Sequence, residues 1–491
     1  MKPLSERQKI AHLLRRFGLG ASEAELEFYG KGGLAGAIDK LLNFDSVNED
    51  FVYEIDNLML EVNTKVGKVK NLNPRGTQVW WYTRLLTTQR PLEQKMTVFW
   101  HNHFATSAAK VESGEAMYKH LETLRTHAFG RFEDLLLAIS HDPAMLYWLD
   151  NGDNEKGKPN ENFAREVMEL FTLGIGNYTE MDIQEAARAF TGWRYGVRRP
   201  NGRIVPTKQV PRKDSEFVFE PSRHDTDIKT VLGNTGQFNG EDICGILVGK
   251  PRTAEFLTRK IWEWFVYENP SDAVIKPLAD KWHRNGMVIK DLLADIMRSP
   301  EFYSERSYRK LVKNPIDFAI APARQLGIGQ ILRKSTETIP EGQPKNRALG
   351  PSQATLLATK SMGMELVYPP DVSGWRTGPG WISSATMLER IKWADMLLNG
   401  GPVAVNPNGK RVARTNAYPA AGLFDDISEP LEAAKKIVSV FDAEIPDSKL
   451  RQLAAAASAA AEGRPVTPQN ANLVADSVAR LLFGSPEFQF C

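Results

Sequence analysis

The chain has 491 residues, of which 42% are hydrophobic and 25% charged, the composition of an ordinary globular protein. A wholly disordered, collagen-like or fibrous chain is excluded. The length corresponds to about three domains' worth of material or one large helical body, and no run of about eighteen apolar residues is present to form a membrane span.

Basic and acidic residues nearly cancel, 62 against 60. The basic clusters at Lys65 to Lys70, Arg198 to Arg203 and Arg306 to Lys313 are short and scattered, so no stripe for nucleic acid is formed. Cys244 and Cys491 are too few for a disulfide framework, and neither has a Cys or His at zinc-finger spacing. Residues Met1 to Lys9 lack the apolar core and cleavage site of a signal peptide. The location expected is therefore cytoplasmic, or periplasmic if the chain is trimmed or exported with a partner.

Helical period runs first over about 5–17, 22–42, 77–103, 112–127, 131–141, 160–173 and 180–191. From Trp193 to Leu232 it gives way to short β-type runs, with Pro200-Asn201-Gly202 supplying hairpin-turn chemistry between the first two. Helices resume over about 240–248, 252–266, 272–284, 287–298, 312–326, 352–361 and 383–398. Asn399 to Asp426, rich in Gly, Pro, Asn and Ala, reads as a long surface connection. Helices at about 430–442 and 470–483 then flank an alanine-rich stretch, Leu453 to Gly463, that favours helix but provides little core. The expected fold is mainly α: a multi-helix body over 1–398 with a small β insertion at 193–232, a connection over 399–429, and a C-terminal helical lobe over 430–491. Leu293 to Phe302 and Leu481 to Phe488 both end in Ser-Pro-Glu-Phe. A shared stop, in which proline ends the helix and phenylalanine staples back onto it, is preferred over a duplication.

Five polar or aromatic concentrations could carry chemistry. Phe99-Trp100-His101-Asn102-His103-Phe104 contains an H-x-H, but helical residues two apart diverge by about 200°, so both imidazoles reach one ion only if the helix ends here. The alternative is a buried, hydrogen-bonded His103 with His101 at the surface. In the helix opened by Asn160, Glu161, Arg165 and Glu169 form a ladder that a solvated salt-bridge face would explain. Asn162, Glu166 and Glu169 form a second row, a set of carboxylates beside an amide that suits a hard or borderline cation. His141 and Asp142 end a helix, where a histidinium is favoured by the dipole, and Asn151 follows close enough to approach the Asn160 helix. His224-Asp225 and Lys229 lie in a loop and serve either binding or loop structure. Trp193, Trp375 and Trp381 sit in Gly- and Pro-rich loops, as plugs of the body or as exposed rings for a sugar or a partner. No nucleophile elbow, phosphate loop, dinucleotide fingerprint or H-E-x-x-H occurs, which demotes phosphoryl and hydride chemistry.

These blocks resemble, in order, the bacterial family catalogued as domain of unknown function 1800. The likeness rests on Phe99 to Phe104; on Asn160 to Gly174, continuing through Tyr178-Thr179-Glu180 to Thr191-Gly192-Trp193; on His224-Asp225 with Lys229-Thr230; and on Pro369 to Trp381. It extends from His12-Leu13-Leu14-Arg15-Arg16-Phe17-Gly18 to Ser485-Pro486-Glu487-Phe488. The resemblance implies a fold class and no settled activity. It also implies a partner, because members are often encoded beside a sulfatase-like family with twin-arginine export signals. Many relatives carry an export signal of their own, from which this chain departs.

Two functions are expected on these grounds. In the first, His101, His103, Glu166 and Glu169, completed by His141 or His224, line one cleft and bind a divalent metal in a hydrolase-type enzyme. Glu166, His224 and Asp225 then take part in catalysis, and Arg165 and Lys229 hold an anionic or carbohydrate-like substrate. Asn151, Asn162, Trp193, Trp375 and Trp381 contribute to binding, the last two as walls of the site. In the second, the polar blocks only brace buried loops of a non-catalytic assembly or binding protein, whose Trp-rich loops dock the sulfatase-like neighbour or a glycan.

Overall fold

The computed structural model describes residues 3–64, 67–199, 201–339, 348–400 and 418–491. Among them 22 α-helices build the body, and the strands are confined to three sheets of two or three strands. Local chemistry sets most helix starts. Ser5, Ser22, Thr179, Asn239 and Ser383 close reciprocal capping boxes. Pro74, Pro91, Pro143, Pro251 and Pro315 occupy first turns, where the missing N–H removes no intrahelical bond.

Proline also divides what the hydrophobic period joins. The helix expected over 77–103 is two, Pro74–Thr87 and Pro91–His103, since Pro91 can begin a helix but not continue one. The segment 22–42 likewise splits into Glu23–Gly30 and Gly33–Leu42, with Gly33 in the left-handed region at φ 65°.

The β insertion is a three-stranded sheet, with Trp193–Arg198 between Ile204–Pro206 and Ser215–Phe219, followed by a separate hairpin of Lys229–Val231 with Asn234–Gly236. A further antiparallel pair, Leu60–Thr64 with Gly67–Asn71, lies outside the insertion and was not anticipated. Most of the connection placed at 399–426 falls on residues outside the described ones. Its end is tied down, with Asn472 Nδ2 donating to the carbonyls of Leu398 (2.5 Å) and Tyr418 (2.6 Å).

In the C-terminal lobe, Pro430–Val440, Asp447–Ala460 and Ala471–Phe483 pack on one another, and the last also packs on Ser384–Leu398 of the body. The alanine-rich helix Asp447–Ala460 buries only Leu453 and Ala457. The two Ser-Pro-Glu-Phe stops form matching 3-10 turns, Pro300–Tyr303 and Pro486–Gln489. Each buries its phenylalanine: Phe302 lies against His12, and Phe488 stacks on Phe483 at 4.6 Å. Among the described residues no helix is long and apolar enough to cross a membrane.

Arg390 joins the chain's last turn to the body. It is fully buried, with Nη1 donating to Gln489 Oε1 (3.0 Å), Nη2 donating to the Lys313 carbonyl (2.8 Å), and its guanidinium over the Phe318 ring. Removing it leaves buried acceptors unpaired in a region where water cannot replace it. Arg390→Ala is therefore expected to lower unfolding free energy by at least about 2 kcal/mol in urea titrations; a change within about 0.5 kcal/mol, the surface-substitution range, would show that this clamp carries no stability.

Candidate functional site

Every residue of the Pro91–His103 helix is buried, so it has no solvent face and its side chains must find partners in all directions. The last turn reaches a different element at each residue. Phe99 packs edge-on to Trp264 at 5.7 Å, and Trp100 Nε1 donates to the Ala128 carbonyl (3.1 Å). His101 Nε2 accepts from the Val367 N–H (3.1 Å), Asn102 Oδ1 accepts from the Trp375 N–H (2.7 Å), and His103 Nε2 donates to the Phe171 carbonyl (3.1 Å). Phe104 packs on Phe171 at 5.0 Å. The helix continues through His103, so the two imidazoles diverge. His101 is not at the surface, as one reading of the sequence had it, because the helix is enclosed on every side.

The hydrogen-bond directions around His101 fix its tautomer. Since Nε2 accepts from Val367, the neutral ring carries its proton on Nδ1, which has no partner. Facing it at a ring separation of 6.2 Å is His120, whose Nδ1 donates to Asp142 Oδ1 (3.0 Å) and whose Nε2 is also unpaired. Asp142 additionally caps the next helix through the Met145 N–H (3.0 Å). The result is two buried hydrogen-bonded pairs, Asp142 with His120 and His101 with the Val367 amide, packed side by side with no hydrogen bond between them.

Val367 itself is held in the left-handed region at φ 73°, a conformation in which a β-branched residue is strained. Two bonds hold it there: its N–H goes to His101, and its carbonyl accepts from the Ala108 N–H (2.9 Å). Beyond it the 369–381 loop is pressed onto the body at two glycines. A Cβ on Gly374 would lie 2.3 Å from the Asn102 carbonyl oxygen, and one on Gly378 would fall inside the Glu268 carboxylate. Trp375 and Trp381 are 6% and 5% exposed and Trp193 is 2% exposed, so all three fill the body and offer no open ring for stacking.

The Asn160 block serves the same hub from the other side. Asn160 caps Glu161–Met168 through the Asn162 N–H, Asn162 Nδ2 donates to the Leu149 carbonyl (3.1 Å), and Asn151 Nδ2 donates to the Trp193 carbonyl (2.9 Å). The helix then widens into a π turn, Glu169–Leu173, a rare form often found at functional sites, and this turn contains the Phe171 carbonyl taken by His103. On its outer face Arg165 is paired with Glu161 (3.1 Å) and Glu180 (2.7 Å), a part-exposed ladder, so it is not free to hold a substrate anion. Glu169 accepts from the Tyr178 hydroxyl. Glu166 is half-buried, and burial together with neighbouring Glu169 raises its carboxyl pKa.

The remaining candidates lie elsewhere. His141 stacks on Phe217 at 3.8 Å and packs against Trp193, and burial lowers it to about 4, so the histidinium suggested by its helix end is disfavoured. His224 Nδ1 bonds to the Thr191 carbonyl (2.9 Å), and Asp225 pairs with Arg188 (2.8 Å), so the two do not form a dyad. Lys229 is 1% exposed and its Nζ donates to the Asp225 (2.5 Å) and Asp227 (3.0 Å) carbonyls, which makes it an internal tie for its own loop. Among the described residues no three His, Cys, Asp or Glu side chains gather as a potential metal-ligand group. The sequence marks Asp142 by its helix end and Asn102 only as part of the H-x-H block, and gives no sign of His120 or Val367. His120 has no local pattern, and the strain at Val367 is a tertiary property.

His101 and His103 are held neutral chiefly by burial, reinforced by His120 for the first and by Lys260 for the second; His12 is lowered likewise by burial and by Arg16. In the unfolded chain these rings ionise near pH 6.5. As pH falls through that value the unfolded state gains protons that the folded state cannot take, so stability present above about pH 6.5 is lost below it. The urea midpoint should fall between about pH 7 and 5, and more shallowly in His101→Gln, whose amide oxygen reaches the Nε2 position and can still accept from Val367. Identical slopes for the two proteins would show that His101 titrates freely.

The chain matches neither a curated protein nor a solved structure. The model of the family described as a protein of unknown function (DUF1800) matches residues 12–490, nearly its whole length, and the chain belongs to that family.

Proposed function

We propose that this chain is a non-catalytic binding and assembly protein, in which the family's blocks form an internal brace and the outer rim of the 369–381 loop docks a partner protein. The observation that carries this reading is the strained Val367, pinned between His101 and Ala108 at the root of the loop. Holding a backbone in an unfavourable conformation is maintained only when the surroundings over-determine it, and here the His101 imidazole and the Ala108 N–H supply that hold. The rim they fix carries exposed Asp371, Ser373, Arg376, Thr377 and Pro379. A loop already ordered before contact loses little entropy on binding. The partner favoured is the sulfatase-like protein that the family resemblance implies, docked by the polar rim, since the tryptophans lie inside.

Co-expression of the full chain with that neighbour, followed by affinity purification, tests the assignment. Arg376→Glu, at an exposed side chain, is expected to leave the thermal midpoint unchanged and to reduce co-purification at least about tenfold, through like-charge repulsion at the rim. Undiminished recovery of the partner by the variant, or no recovery by the wild type, would overturn it.

A second reading keeps a divalent cation, and with it a hydrolase acting on an anionic or carbohydrate-like substrate. It is supported by Glu166, a half-buried carboxyl with Glu169 as its neighbour. A cation between them would relieve the repulsion and favour both ionised forms. Purified protein is then expected to carry about one equivalent of metal that Glu166→Gln loses; metal-free wild type would remove the reading.

A further inference from the structure

A cavity of about 360 Å3 lies between the helices Ile328–Glu337, Gly350–Ser361 and Ser384–Leu398, with Tyr418 and Pro419 in its wall. Its volume falls within the roughly 300–1,000 Å3 of small-molecule sites. Small residues make the room: Ser335, Ala354 and Gly400 line space that larger side chains would occupy in a close-packed interior. Tyr418 is held in place at both backbone groups, its N–H donating to the Leu397 carbonyl (2.8 Å) and its carbonyl accepting from Asn472 Nδ2 (2.6 Å).

Among the described residues the wall has no charged side chain, and none of its side chains bonds to a charged group. Its polar side chains are mostly spent on backbone within the walls. Ser335 Oγ donates to the Ile331 carbonyl (2.9 Å), Thr355 Oγ1 to the Pro351 carbonyl (2.8 Å), and Trp393 Nε1 to the Ala319 carbonyl (3.2 Å). The Tyr418 hydroxyl makes no hydrogen bond among the described residues, and burial keeps that phenol protonated and uncharged. Most of the remaining lining is hydrocarbon and ring, from Ile328, Ile331, Ala354, Trp393, Met396 and Leu397. The wall reaches the surface at Ile331, which is 39% exposed and so marks an entrance.

We infer that this cavity binds a small uncharged apolar molecule. An ion placed there would give up its water to a wall that returns no counter-charge. An apolar guest loses no hydrogen bond on entering, leaves water behind, and fills space that the protein's own side chains do not. The site shares no residue with the four blocks, so its occupancy is independent of the docking proposed for the 369–381 loop.

Titration calorimetry of the full chain with 2-naphthol, and with 2-naphthoate as its charged counterpart at about pH 7, tests the site. Saturable binding of 2-naphthol is expected, with 2-naphthoate at least about tenfold weaker. Ala354→Phe, at a partly exposed position in the wall, places a ring in the cavity and should weaken 2-naphthol at least about tenfold. Ser335→Phe, at an exposed helical position, fills the same space and keeps the test valid should Ala354→Phe fail to fold. Absence of saturable 2-naphthol binding below about 1 mM, equal affinity for 2-naphthoate, or undiminished binding in the folded filling variants would each overturn the assignment.

Discussion

A helix buried on every side has no solvent to satisfy its polar side chains, and the rest of this structure follows from how the Pro91–His103 helix meets that constraint. Its last turn bears two imidazoles and an amide whose desolvation is costly unless protein groups replace water. Each takes a backbone partner from a distant stretch: Val367, Trp375 and Phe171. The polar groups therefore work as ties, and the aromatic residues interleaved with them exclude the water that would compete for those bonds.

The ties also account for where strain is stored. Val367 adopts a left-handed backbone conformation, and Gly374 beyond it lies so close to the Asn102 backbone that no side chain fits. Such a path costs free energy locally and is kept because several independent contacts enforce it. The π turn at Glu169–Leu173 belongs to the same arrangement, since it contains the carbonyl that His103 takes. Three of the four blocks scattered along the chain are thus tied to one another through this helix.

Much of the architecture is legible in the sequence. Helical period, capping residues and proline punctuation placed most helices, and loss of period marked the β insertion from Trp193 onward, because these signals act within a few residues. The splits at Pro91 and at Gly33 are also local signals, masked in the sequence by a continuous hydrophobic stripe that crosses both. The Leu60–Thr64 and Gly67–Asn71 pair escaped notice because its sequence, Leu-Glu-Val-Asn-Thr and Gly-Lys-Val-Lys-Asn, carries few β-branched or aromatic residues.

The H-x-H, the Asn160 helix, the His224-Asp225 loop and the Trp-rich loop all stand out in the sequence by residue type. What each does is not legible there. Arg165 and Lys229 looked like free cations, yet one is paired in a surface ladder and the other is closed on its own loop's carbonyls. The sequence by itself determined the helical character, the place of most helices and the family, since all of these rest on patterns spanning tens of residues or fewer, or on the order of blocks along the chain. Only the tertiary structure decided that the imidazoles brace a loop, that Asp142 and His120 join them, and that the tryptophans face inward. Burial and hydrogen-bond direction depend on which distant segments meet, and no local pattern encodes that meeting.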